Sequence, residues 1–370
     1  MAKPYPLAFK HVRPGVEKGR GARTNASGRY ESEKRVRVDD GWESLEEDFK
    51  KGTQTRVTLE TPRRIVTFNT SPYVGFDRSI NPYRGCEHGC IYCYARPTHA
   101  YMGLSPGIDF ETRLYAKPDA AQLLAGELSA PNYRPRTIMI GTNTDAYQPI
   151  DRMYRIMRQL LLVLSDFNHP VSILTKSSLI VRDLDILAPM AEKNLTRCMI
   201  SITTQDRQLA RAMEPRAPTP QRRFDALRAL VDRGIPAGIM LGPMIPGLND
   251  AEMETIMEKA AGIGAGYSAY TILRLPLEVS PLFQEWLEAF APTRAARIMG
   301  HIRDMNGGRD YDPLRSRGGE VKSHYARMIM QRYRLARTRL GLEHGRDRTP
   351  LDLSLFRVPE SLSGQGDLFG

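Results

Sequence analysis

Residues 79–94 read SINPYRGCEHGCIYCY and place three cysteines directly after a short β-rich run. Cys86, Cys90 and Cys93 are spaced four and three positions apart, and the chain has one other cysteine, Cys198. Three thiolates this close can wrap one soft metal centre, whereas a disulfide would leave an odd thiol. A zinc site would need Cys198 or His88 as a fourth ligand. An iron–sulfur cluster is held by thiolates and can use three if its fourth iron is reserved for another ligand.

Outward from this stretch, β-rich runs alternate with amphipathic helical patterns from about residue 78 to 275. This alternation predicts parallel strands joined by right-handed crossovers. Six units fall short of the eight that close a full barrel, so we predict an α/β fold with an open, partial (β/α)6 barrel. Chemistry is then expected where the strands end. Strands are predicted at 79–83, 137–141, 171–176, 197–202, 237–241 and 269–273, and helices at 118–128, 151–164, 181–191, 220–232 and 250–263.

The chain divides into five segments by composition. Residues 1–40 are rich in Gly, Arg, Lys and Ser without a period, which predicts a flexible basic arm. A lead-in segment (41–77) precedes the core (78–275). Helices predicted at 282–290, 293–305 and 320–340 form a helical C-terminal extension (276–342). Residues 343–370 are predicted to be a flexible tail.

Net charge, apolar content and cysteine count indicate the kind of partner and the location to expect for this protein. The 53 Lys and Arg against 42 Asp and Glu give a net charge of +11, which favours a polyanionic partner such as nucleic acid. No apolar leader or run of 18 apolar residues occurs, so no membrane partner is expected. Four cysteines are too few for a disulfide scaffold, and we expect a cytoplasmic protein.

The cysteine spacing C-x3-C-x2-C, with an aromatic residue before the last cysteine, resembles the radical S-adenosylmethionine (SAM) superfamily. Over 78–275 the chain is similar to spore photoproduct lyase, and more so to the lyase's uncharacterised bacterial relatives. The segments that carry this similarity are NPYRGCEHGCIYCYAR, IGTNTDAYQP, ILTKSS, SITT and EPRAPTPQRRFDALRALVDRGIPAGIMLGPMIPGLND.

The resemblance implies that Cys86, Cys90 and Cys93 bind three irons of a [4Fe–4S] cluster while SAM chelates the fourth. One-electron reduction then cleaves SAM, and the 5′-deoxyadenosyl radical abstracts hydrogen from a substrate. The reductant would be a one-electron donor of the flavodoxin or ferredoxin type.

The same resemblance implies a set of SAM contacts at the strand ends. A tyrosine would lie beside the adenine, the GTNTD segment would bind the amino end, and a lysine would meet the carboxylate. A serine and a Glu/Arg pair would lie near the ribose. Plainer interpretations are a turn, a strand-end lysine, a core serine and a surface ion pair. The implied contacts are Tyr92, Gly141, Asn143, Thr144, Asp145, Lys176, Ser201, Glu214 and Arg223.

One position departs from the lyase pattern. In the lyase a cysteine at the second-strand end returns a hydrogen atom to the product radical through a tyrosine. Tyr94 matches that tyrosine, but Thr142 aligns with the cysteine, and a hydroxyl is a poor hydrogen-atom donor compared with a thiol. The resemblance therefore implies the initiating half of the reaction and not the quenching half. Cys198 is predicted to be a buried, small apolar residue.

We therefore expect a radical SAM enzyme that acts on nucleic acid. The alternatives are modification of a protein or small molecule, and a non-catalytic metal-binding protein. Two tail peptides, DLSLF from Asp352 to Phe356 and QGDLF from Gln365 to Phe369, resemble the peptide by which bacterial DNA enzymes dock on the replication sliding clamp. Coincidence, or docking on the protein's own domain, is the alternative for each.

Overall fold

The structure is a computed structural model that describes residues 19–31, 54–70, 75–313, 323–344 and 349–360. In these parts of the chain the strands fall into two sheets. The strands are β1 (Arg56–Leu59), β2 (Val66–Phe68), β3 (Arg78–Ile80), β4 (Tyr83–Arg84), β5 (Arg113–Ala116), β6 (Ile138–Ile140), β7 (Val171–Thr175), β8 (Thr196–Ser201), β9 (Ala237–Met244), β10 (Tyr267–Ile272) and β11 (Glu343–His344).

The larger sheet confirms the predicted α/β partial barrel. Its order is β11-β10-β9-β8-β7-β6-β3-β2, and the six strands from β3 to β10 in this row are parallel. These are the six strands that the sequence predicts. The edges add β2, which is antiparallel to β3, and β11, which is parallel to β10. Because the strands run the same way, their carboxyl ends lie along one edge of the sheet.

The helices lie where the periodicity predicts them, with one break. The predicted helix 151–164 is divided at Arg155, whose φ of 49° is left-handed and interrupts the helical turn. The helical C-terminal region is also confirmed. The helices are α1 (Asp109–Thr112), α2 (Ala120–Leu128), α3 (Asp151–Tyr154), α4 (Ile156–Asp166), α5 (Leu184–Glu192), α6 (Arg207–Met213), α7 (Pro220–Asp232), α8 (Met253–Ile263), α9 (Val279–Phe290), α10 (Pro292–Met305) and α11 (His324–Arg339).

The main core lies between the sheet and its helices. Ile173, Cys198 and Ala237 are neighbours in register on three adjacent strands, and all three are buried. Cys198 therefore packs as the buried apolar residue that the sequence predicts. Among the described residues, no helix is long and apolar enough to cross a membrane.

Two stretches predicted to be flexible hold defined positions. Residues 19–31 pack beside α1, where the Asn25 side chain accepts from the Asp109 backbone and donates to the Asp109 carboxylate, each at 2.9 Å. Residues 349–360 also lie against the core. Composition alone does not predict these contacts. Residues 343–344 of the predicted tail form β11, and the rest of the predicted arm and tail lies outside the described residues.

The tail segment docks on its own domain through an aromatic anchor. The Phe356 ring packs against Tyr133, Phe167 and His169, with ring centroids 5.6, 6.3 and 5.5 Å away. The Arg357 amide donates to the Phe167 carbonyl oxygen at 3.1 Å. For the first clamp-like peptide, the self-docking alternative is therefore the arrangement in the structure. The second, Gln365 to Phe369, lies outside the described residues.

Replacement of Phe356 by alanine is predicted to destabilise the protein. The substitution removes the aromatic contacts that hold the tail, and we expect the free energy of unfolding to fall by about 2 kcal/mol. Leu355→Ala is the control, because Leu355 is 40% exposed. Chemical denaturation measures both changes. Equal effects of the two variants would show that the tail is not anchored through Phe356.

Candidate active site

The cysteine loop leaves the first parallel strand and folds back on itself. Gly85 directly precedes Cys86 and Gly89 directly precedes Cys90, with φ angles of 71° and 66°, which favour glycine. A Cβ on Gly85 would lie 2.6 Å from the Leu114 side chain and 2.8 Å from the Phe110 carbonyl oxygen. The loop therefore needs glycine for space as well as for backbone conformation. Its three cysteines are free thiols: Cys86 and Cys90 are buried, and Cys93 is half-buried.

A buried arginine, Arg96, holds the backbone of the cysteine loop. The Arg96 guanidinium donates to the carbonyl oxygens of Gly89 and Cys90 at 3.2 and 3.0 Å, and to the Glu111 carboxylate at 2.6 Å. Both side chains of the ion pair are fully buried. Sequence reasoning assigned neither residue a role. The available signal was the position of Arg96 inside the quoted CYAR segment, three residues after the last cysteine.

A buried glutamine, Gln148, also holds the loop and lies in the segment that follows the second parallel strand. The Gln148 side chain accepts from the Glu87 amide at 2.8 Å and donates to the Gly85 carbonyl oxygen at 3.1 Å. These contacts bracket Cys86 on both sides. Gln148 was also missed, although it lies in the quoted IGTNTDAYQP segment. Side chain–backbone contacts across some sixty residues have no local sequence signature.

The loop supplies three thiols, the ligand type that an iron–sulfur cluster uses. Among the described residues, no three His, Cys, Asp or Glu side chains converge as the ligands of one ion do. In a cluster each thiolate binds a separate iron, so the sulfurs need not converge. Burial raises the pKa of the Cys90 thiol to about 12, although the Lys176 ammonium opposes this rise. Bound iron would have to displace that proton. Cys198 lies in the main core and is absent from this site.

The GTNTD segment forms a turn braced against the cysteine loop. Gly141 has a φ of 91°, and a Cβ there would overlap the Leu174 carbonyl group. The Asn81 side chain accepts from the amides of Asn143 and Thr144 at 3.1 and 3.4 Å. The Thr144 hydroxyl donates to the Tyr83 carbonyl oxygen at 3.2 Å and is buried. Its oxygen keeps lone pairs that an ammonium group can use.

Asp145 joins this turn to the third parallel strand and to the cysteine loop. Its carboxylate accepts from the Thr175 hydroxyl at 2.6 Å and the Lys176 amide at 2.8 Å, and lies 3.4 Å from the His88 ring nitrogen. Burial acts to raise its pKa, but His88 and these hydrogen bonds outweigh burial and lower the pKa to about 2. Asp145 is thus ionised, and its contacts hold the turn, the third parallel strand and the cysteine loop together.

A buried ion pair, Glu214 with Arg223, contacts the loop through Tyr92. Arg223 donates to Glu214, and the same carboxylate accepts from the Tyr92 hydroxyl and from Thr203 at 2.7 Å. Burial opposes ionisation of Glu214, but Arg223 and Lys176 lower its pKa to about 2. The pair is fully buried, so the surface-pair interpretation is wrong. Thr203 was missed, although it lies in the quoted SITT segment.

Ser201 and Lys176 complete the strand-end set. The Ser201 hydroxyl donates to the Gly242 carbonyl oxygen at 3.4 Å, and its own carbonyl accepts from Arg223 at 3.2 Å. The Lys176 ammonium lies 5.8 Å from the centroid of the Tyr92 ring. Among the described residues, no carboxylate is within ion-pair distance of this ammonium. The site therefore presents a half-buried cation that can bind an anionic group.

The structure brings Tyr94 and Thr142 together. The Tyr94 hydroxyl donates to the Thr142 carbonyl oxygen, whereas the Thr142 hydroxyl lies 3.5 Å from the Asn81 side chain. Tyr94 is 60% exposed. The two residues thus meet at the open edge of the site, through the backbone and not through the threonine side chain.

Comparisons with known proteins agree with this architecture. A model of the radical SAM superfamily matches residues 80–260. Uncharacterised proteins of Mycobacterium tuberculosis and Mycobacterium bovis are 33% identical over 275 residues, which are 73% of this chain and 76% of theirs. An uncharacterised protein of Methanocaldococcus jannaschii is 28% identical over 184 residues, covering 50% of this chain and 66% of its own.

Solved structures show the same fold. A spore photoproduct lyase variant with bound AdoMet and dinucleoside spore photoproduct matches with a TM-score of 0.57 and 14% identity, covering 84% of this chain and 87% of that one. A further variant of that lyase matches with a TM-score of 0.55. The chain belongs to the radical SAM superfamily and is a radical SAM enzyme.

Arg223→Met is predicted to destabilise the protein by about 3–5 kcal/mol, because it leaves the Glu214 carboxylate buried without its cation. The neighbouring Arg222 is exposed, so Arg222→Met is a matched control with an expected change within about 0.5 kcal/mol. Denaturant unfolding measures both. If the two methionine variants are equally stable, the Glu214–Arg223 pair does not support the fold.

Proposed function

We propose that the protein holds a [4Fe–4S] cluster on Cys86, Cys90 and Cys93, cleaves SAM reductively, and acts on a nucleic-acid substrate. The observation that carries the proposal is that three clustered thiols share one loop with Tyr92, and that the Lys176 cation lies 5.8 Å from the Tyr92 ring centroid and makes no ion pair within the described residues. When bound by these residues and supplied with one electron, the cluster and SAM would provide the chemistry for reductive cleavage of SAM to methionine and a 5′-deoxyadenosyl group that would take a hydrogen atom from substrate. A donor of the flavodoxin or ferredoxin type provides that electron.

The chain's own residues bind and orient SAM in this proposal. Lys176 meets the carboxylate as a point charge, and the Thr144 oxygen accepts from the amino group. Tyr92 is held by the buried Glu214, so its ring has a fixed place beside the adenine. Ser201 and Arg223 support the ribose side through the backbone of the fourth parallel strand. None of these side chains needs to change its protonation state.

Exposed aromatic and basic side chains near the site favour nucleic acid as the substrate. Tyr101 lies in the last turn of the 3₁₀ segment (Arg96–Met102) that follows the cysteine loop, is 68% exposed, and stacks on Tyr30 with centroids 5.4 Å apart. The Arg29 guanidinium lies over both rings. Exposed rings can stack on bases, and the net charge of +11 favours a polyanion. The bound dinucleoside of the similar lyase structure supports the same substrate class.

The proposal stops before the lyase's final step. Tyr94 contacts Thr142, and within the described residues the one cysteine outside the proposed cluster set, Cys198, lies in the main core and not beside that pair. A hydroxyl gives up a hydrogen atom poorly compared with a thiol. Repair of the same lesion by the same hydrogen return is therefore not included in the proposed function.

Reductive cleavage of SAM is predicted to depend on the loop cysteines alone. After anaerobic reconstitution with iron and sulfide, dithionite and SAM should yield 5′-deoxyadenosine, which liquid chromatography measures. Cys90→Ala should abolish both iron retention and the product. Cys198→Ala removes a cysteine from the core and should retain both. A fully loaded cluster that yields no 5′-deoxyadenosine would contradict the enzymatic proposal.

Nucleic-acid binding is predicted to depend on Tyr101. Tyr101→Ala should weaken binding of a single-stranded oligonucleotide about tenfold, because one base loses a stacking partner. Phe68→Ala is the control, since Phe68 is an exposed ring paired with Arg78 at the amino end of β3. Fluorescence anisotropy at low and moderate salt measures both. Absence of salt-sensitive binding by the unaltered protein would instead favour a protein or small-molecule substrate.

A further inference from the structure

We propose that residues 19–31, which we call the strap, position the cysteine loop from outside the part of the chain that matches the superfamily. The strap lies far before residue 80 in sequence yet lies against the loop at Gly89 and is linked to Glu87 through Thr55. Its function would be to hold the thiols in place for the cluster, so the inference rests on the proposed function. The strap residues that carry the argument are Arg20, Gly21, Ala22 and Thr24.

The first contact runs through the buried carboxylate that also pairs with Arg96. Glu111 accepts from the amides of Gly21 and Ala22 at 2.9 and 2.7 Å. Arg96 donates to the same carboxylate and to the carbonyl oxygens of Gly89 and Cys90. The strap therefore completes the hydrogen bonding of the carboxylate on which the loop's arginine depends. Hydrogen bonds to a buried charged group are among the stronger ones in proteins.

The second contact is steric. Gly21 lies so close to the loop that a Cβ there would overlap the Gly89 carbonyl oxygen and lie 3.0 Å from its carbon. Gly89 directly precedes Cys90, and its carbonyl oxygen is an acceptor of Arg96. Any side chain at position 21 must therefore displace either the strap or the backbone that carries Cys90. Glycine at this position allows the strap to pack directly against the backbone of the loop.

The strap also reaches the start of the loop and the C-terminal helices. Arg20 donates to the Thr55 hydroxyl at 2.9 Å, and Thr55 donates to Glu87 at 2.6 Å, directly beside Cys86. Thr24 donates to Glu285 on α9 at 2.8 Å. One short segment thus links Thr55 of the lead-in, the part of the cysteine loop between Cys86 and Cys90, and the helical extension.

Hydrogen–deuterium exchange of the full-length apo-protein tests this inference without any cluster. Gly21→Ala should raise the exchange rate of amides 86–93 about tenfold, the effect of losing one buried charged hydrogen bond, and leave the strands of the large sheet unchanged. Thr55→Val, which breaks the link to Glu87, should have a smaller effect in the same amides. Gly126→Ala is the control, because its Cβ would meet nothing within 4 Å.

In the reconstituted protein, Gly21→Ala should also lose iron to a chelator faster than the Gly126→Ala control, with a broadened signal from the reduced cluster. Unchanged exchange at amides 86–93 in both Gly21→Ala and Thr55→Val would overturn the inference. If the unaltered protein takes up no cluster, the proposed function fails, while the exchange experiment still decides whether the strap holds the loop.

Discussion

The site depends on one buried ion pair, Arg96 with Glu111. Both side chains are fully removed from solvent, so each would be costly without the other. The arginine holds the backbone on either side of Cys90, and the carboxylate holds residues 21 and 22. A loop of three thiols has no regular secondary structure to fix it. This ion pair holds the loop backbone in place where no strand or helix does so. It thereby preorganises the three thiols as ligands.

Two further buried carboxylates extend the same principle. Asp145 ties the loop to the second and third parallel strands, and Glu214 ties Tyr92 to Arg223. Both have pKa values near 2, because His88 and hydrogen bonds outweigh burial at Asp145, and Arg223 and Lys176 outweigh burial at Glu214. Both carboxylates are therefore already engaged by protein partners. Lys176 is the cation of this group without a paired carboxylate in the described chain, which leaves its charge for an anionic ligand.

The sequence predicts the fold well because its signals are local. Each parallel strand is a short apolar run, and the helices between them have an amphipathic period, so all six strands are confirmed. The cysteine loop is equally easy to predict, because its three cysteines lie close together in the sequence. Gln148 and Glu111 were missed because their contacts span many residues and leave no local pattern. The contacts of residues 19–31 and Phe356 with the rest of the protein were not predicted, because composition does not reveal single hydrogen bonds or aromatic contacts to the core.

The central claim is that the three cysteines leave one iron of the cluster open for SAM. Pulsed electron paramagnetic resonance of the reduced, reconstituted protein with SAM labelled by ¹⁵N in its amino group tests this claim most directly. The account predicts a hyperfine coupling to the labelled nitrogen that is present with SAM, retained in Cys198→Ala and lost when unlabelled SAM replaces the labelled compound. A reduced-cluster spectrum that is unchanged by SAM, and shows no coupling to its nitrogen, would contradict it.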